Sequence, residues 1–201
     1  MIIPFAAFAV AALLFIAQDY AYHTADNRHL HAVFKGCCTL VCLLLLVYRV
    51  PVFYGHAYLY IGAMAFLVAA DVVICFRFKV GVALFGIAHV LFVVAFVVAG
   101  FNGMIALVVF PVAAGVGLYL VFRWKLLSGN SPIYLVYLLL LILLVSFSAG
   151  RGGLLPVAAA AFAASDLILI YNRHIAKKTW LGRANLALYY SAVFLLAVAY
   201  V

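Results

Sequence analysis

The stretch AFAASDLILIYNRH, residues 161–174, is apolar enough for a membrane helix yet carries an aspartate, and AFLVAADVVICFRFK at residues 65–79 repeats the pattern. Each has an alanine-rich lead-in, one Asp, a short aliphatic run and then a basic residue. The rest of the chain has the same character. Its 201 residues are 72% hydrophobic and 8% charged, with a mean hydropathy of +1.36, far outside the range of a soluble globular domain. The composition is that of an integral membrane protein, and the alternating ten-residue segments of a transmembrane β-barrel are missing.

Apolar runs near the ~20 residues needed to cross the hydrocarbon layer fall at roughly 2–17, 33–48, 57–76, 81–100, 104–122, 132–148, 153–171 and 185–201. This predicts an all-α polytopic bundle of eight transmembrane helices. The first run lacks a basic leading segment and a small-residue cleavage site, so it reads as a retained helix and not a signal peptide. Short loops and the lack of a linker make residues 1–201 one integral membrane domain. Ten of the twelve Lys and Arg residues lie in the odd-numbered loops, leaving only Arg49 and Arg151 in the even ones. The positive-inside bias then puts the odd loops in the cytoplasm and both termini on the non-cytoplasmic side. The net charge of +8 follows from topology and contact with anionic lipid; it does not point to nucleic acid. Cys37, Cys38, Cys42 and Cys75 show no paired CxxC spacing and read as small packing residues.

The chain has four acidic residues, Asp19, Asp26, Asp71 and Asp166. Asp19 and Asp26 fall in the polar segment QDYAYHTADNRHLH, read as a loop. Asp71 and Asp166 sit about five residues inside the predicted cytoplasmic ends of helices three and seven, ~8 Å deep. A carboxylate there costs on the order of 2–3 kcal/mol, so a partner or a function is expected. His89, in GIAHVLFVVAF, is the one histidine inside a predicted span. Lys35 opens helix two, Asn172 and Arg173 close helix seven, and Asn185, Tyr189 and Tyr190 begin helix eight. Asp166 and Arg173, two turns apart, share a helix face about 10 Å apart along the axis. All fall in the cytoplasmic half, where one polar pocket could collect them. The simpler readings are an Asp clamped to a neighbouring Lys or Arg, a packing His, and Tyr189 and Tyr190 as interface-belt aromatics.

At these positions the sequence resembles the YhhN family of membrane proteins, whose characterised members are lysoplasmalogenases. The family pattern appears here as Ala70-Asp71, Ala88-His89, Ser165-Asp166 with Asn172-Arg173, Tyr189-Tyr190, and an early Lys35-Gly36. Three positions depart from it: Ala70 replaces a Gly, Gly36 a Pro, and Val193 a Gln. The resemblance implies a hydrolase without cofactor or metal that cleaves the vinyl ether bond of lysoplasmalogens to a fatty aldehyde and a glycerophospho-base. It implies Asp71, Asp166 and His89 as catalytic residues. Lys35, Asn172, Arg173, Tyr189 and Tyr190 would bind the lysophospholipid, in a pocket facing the cytoplasm of a bacterial inner (plasma) membrane.

The chemistry suits the residues. Protonating the β-carbon of a vinyl ether gives an oxocarbenium ion, water adds, and the hemiacetal collapses. One aspartate would supply the acid and the other would stabilise the cation; the sequence does not say which. His89 would orient or deprotonate the water, while Lys35 and Arg173 would hold the phosphate. No GxSxG elbow is present. A metal held by Asp, His and Asp ranks lower, since one His is thin for zinc. The competitor from another class is a proton-coupled transporter. The two Asp segments are four spans apart, which implies a parallel internal repeat, and transporter sites often lie between repeats. No span, however, carries a central Gly/Pro break. A purely structural scaffold is the remaining reading.

Overall fold

The computed structural model describes residues 2–23, 27–50, 55–124 and 132–200. Asp26 and Lys125 lie outside these residues. Eight α-helices run in order: α1 Ile2–His23, α2 Arg28–Arg49, α3 Gly55–Ile74, α4 Phe78–Val98, α5 Gly103–Arg123, α6 Pro132–Arg151, α7 Leu155–Tyr171 and α8 Thr179–Ala199. The described residues form no strand. Seven of the helices are long and apolar enough to cross a membrane. The eighth, α7, has 17 residues and continues into a π-helical turn, Asn172–Ala176, that lengthens it.

Most helices start earlier than the apolar runs suggest, because polar residues can be helical at a membrane interface when their backbone groups are capped. Asn27 caps α2, its side chain accepting from Leu30 N–H at 2.9 Å, and Asn102 caps α5 through Met104 and Ile105 N–H. Thus α2 takes in His29 and His31, and α3 takes in His56, so His89 is not the only helical histidine. Likewise α1 extends to His23, and the expected loop at Gln18 and Asp19 is helix. Gln18 is completely buried there, and Asp19 accepts from Arg183 Nε at 3.0 Å.

The two basic residues of the even loops close helix ends. Arg49 donates to Val198 O at 2.9 Å, and Arg151 donates to Ala99 O and Gly100 O at 3.1 and 2.9 Å. Cations at C-terminal carbonyls complement the helix dipole. These contacts join the ends of helices that run in the same direction, α2 with α8 and α6 with α4, whereas Arg183–Asp19 ties the start of α8 to the end of the oppositely directed α1.

Inside a bilayer, helix contact relies on close packing, because lipid tails are as apolar as leucine. Small buried residues serve this: Ala63 and Ala70 on α3, Ala88 and Ala95 on α4, and Ala158 and Ala159 on α7 have no exposure at all. Gly81 is tighter still, since a Cβ there would lie 2.6 Å from Ile74 Cα; its absence lets α4 turn back directly on α3. Gly36, where the family pattern has Pro, faces Val72 so closely that a Cβ would come within 2.6 Å of its side chain. Close approach of α2 to α3 brings Lys35 beside Asp71.

The packing order repeats. In the first half α1 packs on α2, α2 on α3 and α3 on α4; in the second, α5 packs on α6, α6 on α7 and α7 on α8. The halves join through α4 with α6 and α8 with α2, which are equivalent pairs under a parallel two-fold relation. Asp71 on α3 and Asp166 on α7 occupy equivalent helices.

Candidate functional site

Asp71 lies three residues before the end of α3 and is completely buried. Its Oδ2 accepts from Tyr189 OH on α8 at 2.7 Å and from Thr39 Oγ1 on α2. Its Oδ1 faces Lys35 Nζ at 3.3 Å, an ion-pair contact not aligned as a hydrogen bond. Lys35 is one turn from Thr39 on the same face of α2 and is 12% exposed, so it connects the buried carboxylate with the outside.

Asp166, buried on α7, has different company. Tyr137 on α6 donates to its Oδ2 at 2.5 Å, and no Lys or Arg makes an ion pair with it among the described residues. Asp71 and Lys35 are still within electrostatic reach. The neighbouring Ser165 turns back on Phe162 O at 2.9 Å.

His89 on α4 is completely buried, its ring turned toward α6 and α7. Its Nδ1 lies 2.5 Å from Phe85 O, a group that only accepts, so Nδ1 carries the hydrogen and Nε2 carries a lone pair. That Nε2 has no hydrogen-bond partner among the described residues. The ring stands edge-on to Phe162 at 4.9 Å and to Tyr137 at 5.4 Å, while Tyr189 packs on Phe162 at 5.3 Å. A continuous aromatic wall therefore runs from the tyrosine of one aspartate to that of the other. Asp71, His89 and Asp166 do not come together as a metal triad, and no three His, Cys, Asp or Glu side chains do so among the described residues.

Above Asp71 a vestibule of about 620 Å³ opens at the basic end of the bundle. Arg28, Lys35, Arg173, Lys177 and Lys178 line it, together with Asn172 and Asn185. Among the described residues no carboxylate lines it, and the five basic side chains make it a concentrated positive surface. Ile74, Phe78 and Leu169 form part of its floor and also border a smaller cavity of about 20 Å³ that touches Asp166 and Tyr137.

The expected residues are distributed unequally. Lys35, Asn172 and Arg173 line the vestibule. Arg173 is exposed and its guanidinium lies 3.6 Å over the Phe78 ring; it does not pair with Asp166, although the two share a helix face. Asn172 is largely a turn residue: its Oδ1 accepts from Lys178 N–H at 2.7 Å, and its C=O accepts from Lys177 N–H at 2.9 Å. Tyr189 holds Asp71. Tyr190 donates to Gln18 Oε1, behind the site and outside its cavities, and joins α8 to α1. Neither tyrosine is an interface-belt aromatic, because both are buried. The sequence reading missed Thr39, Tyr137 and Gln18. Each is a polar group in an apolar helix, and Thr39 could have been found from its one-turn spacing to Lys35. The four cysteines are free thiols.

These features define a polytopic helical membrane protein with two buried, unequally partnered carboxyls beneath a cationic vestibule. The chain belongs to the YhhN family, whose model matches residues 30–200 and so includes both aspartates, His89 and the tyrosine pair. Neither a curated protein nor a solved structure gives a match.

Proposed function

We propose that this protein hydrolyses the vinyl ether bond of a lysoplasmalogen, releasing a long-chain aldehyde and a glycerophospho-base. The observation that carries this reading is the unequal satisfaction of the two buried acids. Asp71, with an ammonium and two hydroxyl donors, has the surroundings of a carboxylate. Asp166, with one hydroxyl on Oδ2, has those of a carboxylic acid whose proton resides on Oδ1.

In this reading Asp166 gives its proton to the β-carbon of the vinyl ether, and the Asp71 carboxylate stabilises the oxocarbenium ion. His89, neutral and with Nε2 unoccupied, accepts a proton from the attacking water. The hemiacetal then collapses to the aldehyde and the free hydroxyl of the glycerophospho-base, and the proton held by the histidine returns to the aspartate. The net change is the addition of one water across the ether. Lys35 and Arg173 face the vestibule, where a phosphate would sit.

The test is aldehyde release. Purified protein in detergent, given lysoplasmenyl-ethanolamine or lysoplasmenyl-choline, should liberate long-chain aldehyde without added cofactor. Failure with both head groups would overturn the proposal.

The parallel repeat favours a second reading, a proton-coupled transporter with its acids on equivalent helices. Against it, α5 stays helical through Pro111, and no span breaks in its middle. Proton-coupled solute uptake into liposomes, with no aldehyde release, would select it.

A further inference from the structure

The two-fold packing is broken at one place. Where α8 meets α2, α1 lies against both helices. At the equivalent junction of α4 with α6, α5 packs on α6 without comparable contact on α4. The result is an apolar groove of about 390 Å³ between α4 and α6, lined by Val82, Gly86 and Val90 on one side and Val136, Tyr137 and Leu140 on the other. Val90 and Val136 are 44% and 60% exposed, so the groove is open toward lipid.

This groove leads to the site. Val82 and Tyr137 line both the groove and the small cavity at Asp166, and that cavity shares Ile74, Phe78 and Leu169 with the vestibule. Three spaces therefore follow one another: cationic, acid-bearing and apolar. Along α4 the groove runs from Val82 to Val90, about 12 Å at 1.5 Å per residue, from the depth of Asp166 toward the middle of the bilayer.

We infer that the α4–α6 groove is the lateral entry and seat of the substrate's hydrocarbon chain, oriented so that the bond next to the head group comes to rest at Asp166 and Tyr137. The inference rests on the lysolipid reading above and specifies how such a molecule lies. A lysophospholipid has the matching sequence of parts: an anionic head, a polar junction and a single chain. Gly86 is the width-setting residue. A Cβ there would meet the flexible end of Leu140 at 3.4 Å and no backbone atom within 4 Å beyond its own helix, so a side chain at this position begins in the groove.

Two measurements test this. A lysophospholipid with a diazirine at the end of its chain, photolysed with the intact protein, should cross-link to α4 and α6 residues around Val90 and Leu140. Gly86→Leu, and independently Val90→Phe, should abolish those cross-links. On a long-chain vinyl-ether lysolipid they should lower kcat/KM roughly 10- to 100-fold, the scale of a substrate misplaced at the reacting centre, with a short-chain analogue little affected. Melting temperatures near wild type would exclude misfolding. Cross-links on α1 or α5 alone, or unchanged chain-length preference in an active enzyme, would overturn the groove and leave the hydrolase reading intact. Groove cross-links lost in Gly86→Leu, from a wild-type protein that releases no aldehyde, would do the reverse.

Discussion

Lys35 Nζ stands 3.3 Å from Asp71 Oδ1, and this contact makes the two buried aspartates unequal in stability as well as in chemistry. Asp71→Asn leaves an ammonium without its counter-charge. The cost should remain below the roughly 3–5 kcal/mol of a fully buried pair, because Lys35 opens onto the vestibule. Asp166→Asn removes no ion pair and should melt near wild type. Both variants should lose at least ~100-fold in turnover. Well-folded, fully active Asn variants at both positions would refute the catalytic assignment.

The assignment of acid and carboxylate predicts an order for the two tyrosines. Tyr189→Phe removes a hydrogen bond to a charged acceptor, worth about 1.5–3 kcal/mol, whereas Tyr137→Phe removes one to a neutral acid, worth about 1 kcal/mol. Thermal denaturation of both variants measures the difference. A larger loss for Tyr137→Phe would exchange the roles of Asp166 and Asp71.

Arg173 lines the vestibule and stacks on Phe78, and among the described residues it pairs with no carboxylate. Arg173→Ala should therefore raise KM for a lysophospholipid several-fold while kcat stays near wild type, the signature of lost uniform binding. Arg173→Lys should recover part of the affinity, since an ammonium neither stacks nor forks like a guanidinium. A fall in kcat with unchanged KM would place Arg173 at the reacting centre instead.

The concentration of basic residues at one end predicts that this end is cytoplasmic. Single cysteines introduced into a cysteine-free variant at Lys177 and at Gly153 should react oppositely with a membrane-impermeant maleimide on intact cells, the second labelled and the first protected. Labelling at Lys177 would invert the topology and move the vestibule to the opposite face of the membrane.

Most of the architecture is legible in the chain because a bilayer leaves a polypeptide few options. Buried backbone amides must be satisfied within each segment, so runs such as residues 81–100 can be little else than helices. The same scarcity of charge singles out Asp71 and Asp166. The ends of the helices are less legible. Gln18, Asp19 and His31 look like loop residues but are helical, because an Asn cap and interhelical contacts satisfy them where hydropathy alone says polar.

The sequence by itself determined a polytopic bundle of eight apolar helices, two of which carry acids within their apolar runs. Only the tertiary structure decided how those acids differ. Asp71 meets Lys35, Thr39 and Tyr189 from two other helices, while Asp166 accepts from Tyr137 and, among the described residues, has no ion-pair partner. The physical reason is that the cost of a buried carboxyl is set by its position in the chain, but its protonation and reactivity are set by neighbours far away in sequence. Tyr189 is 118 residues from Asp71. No local pattern encodes that distance, and it is closed only when α8 packs between α7 and α2.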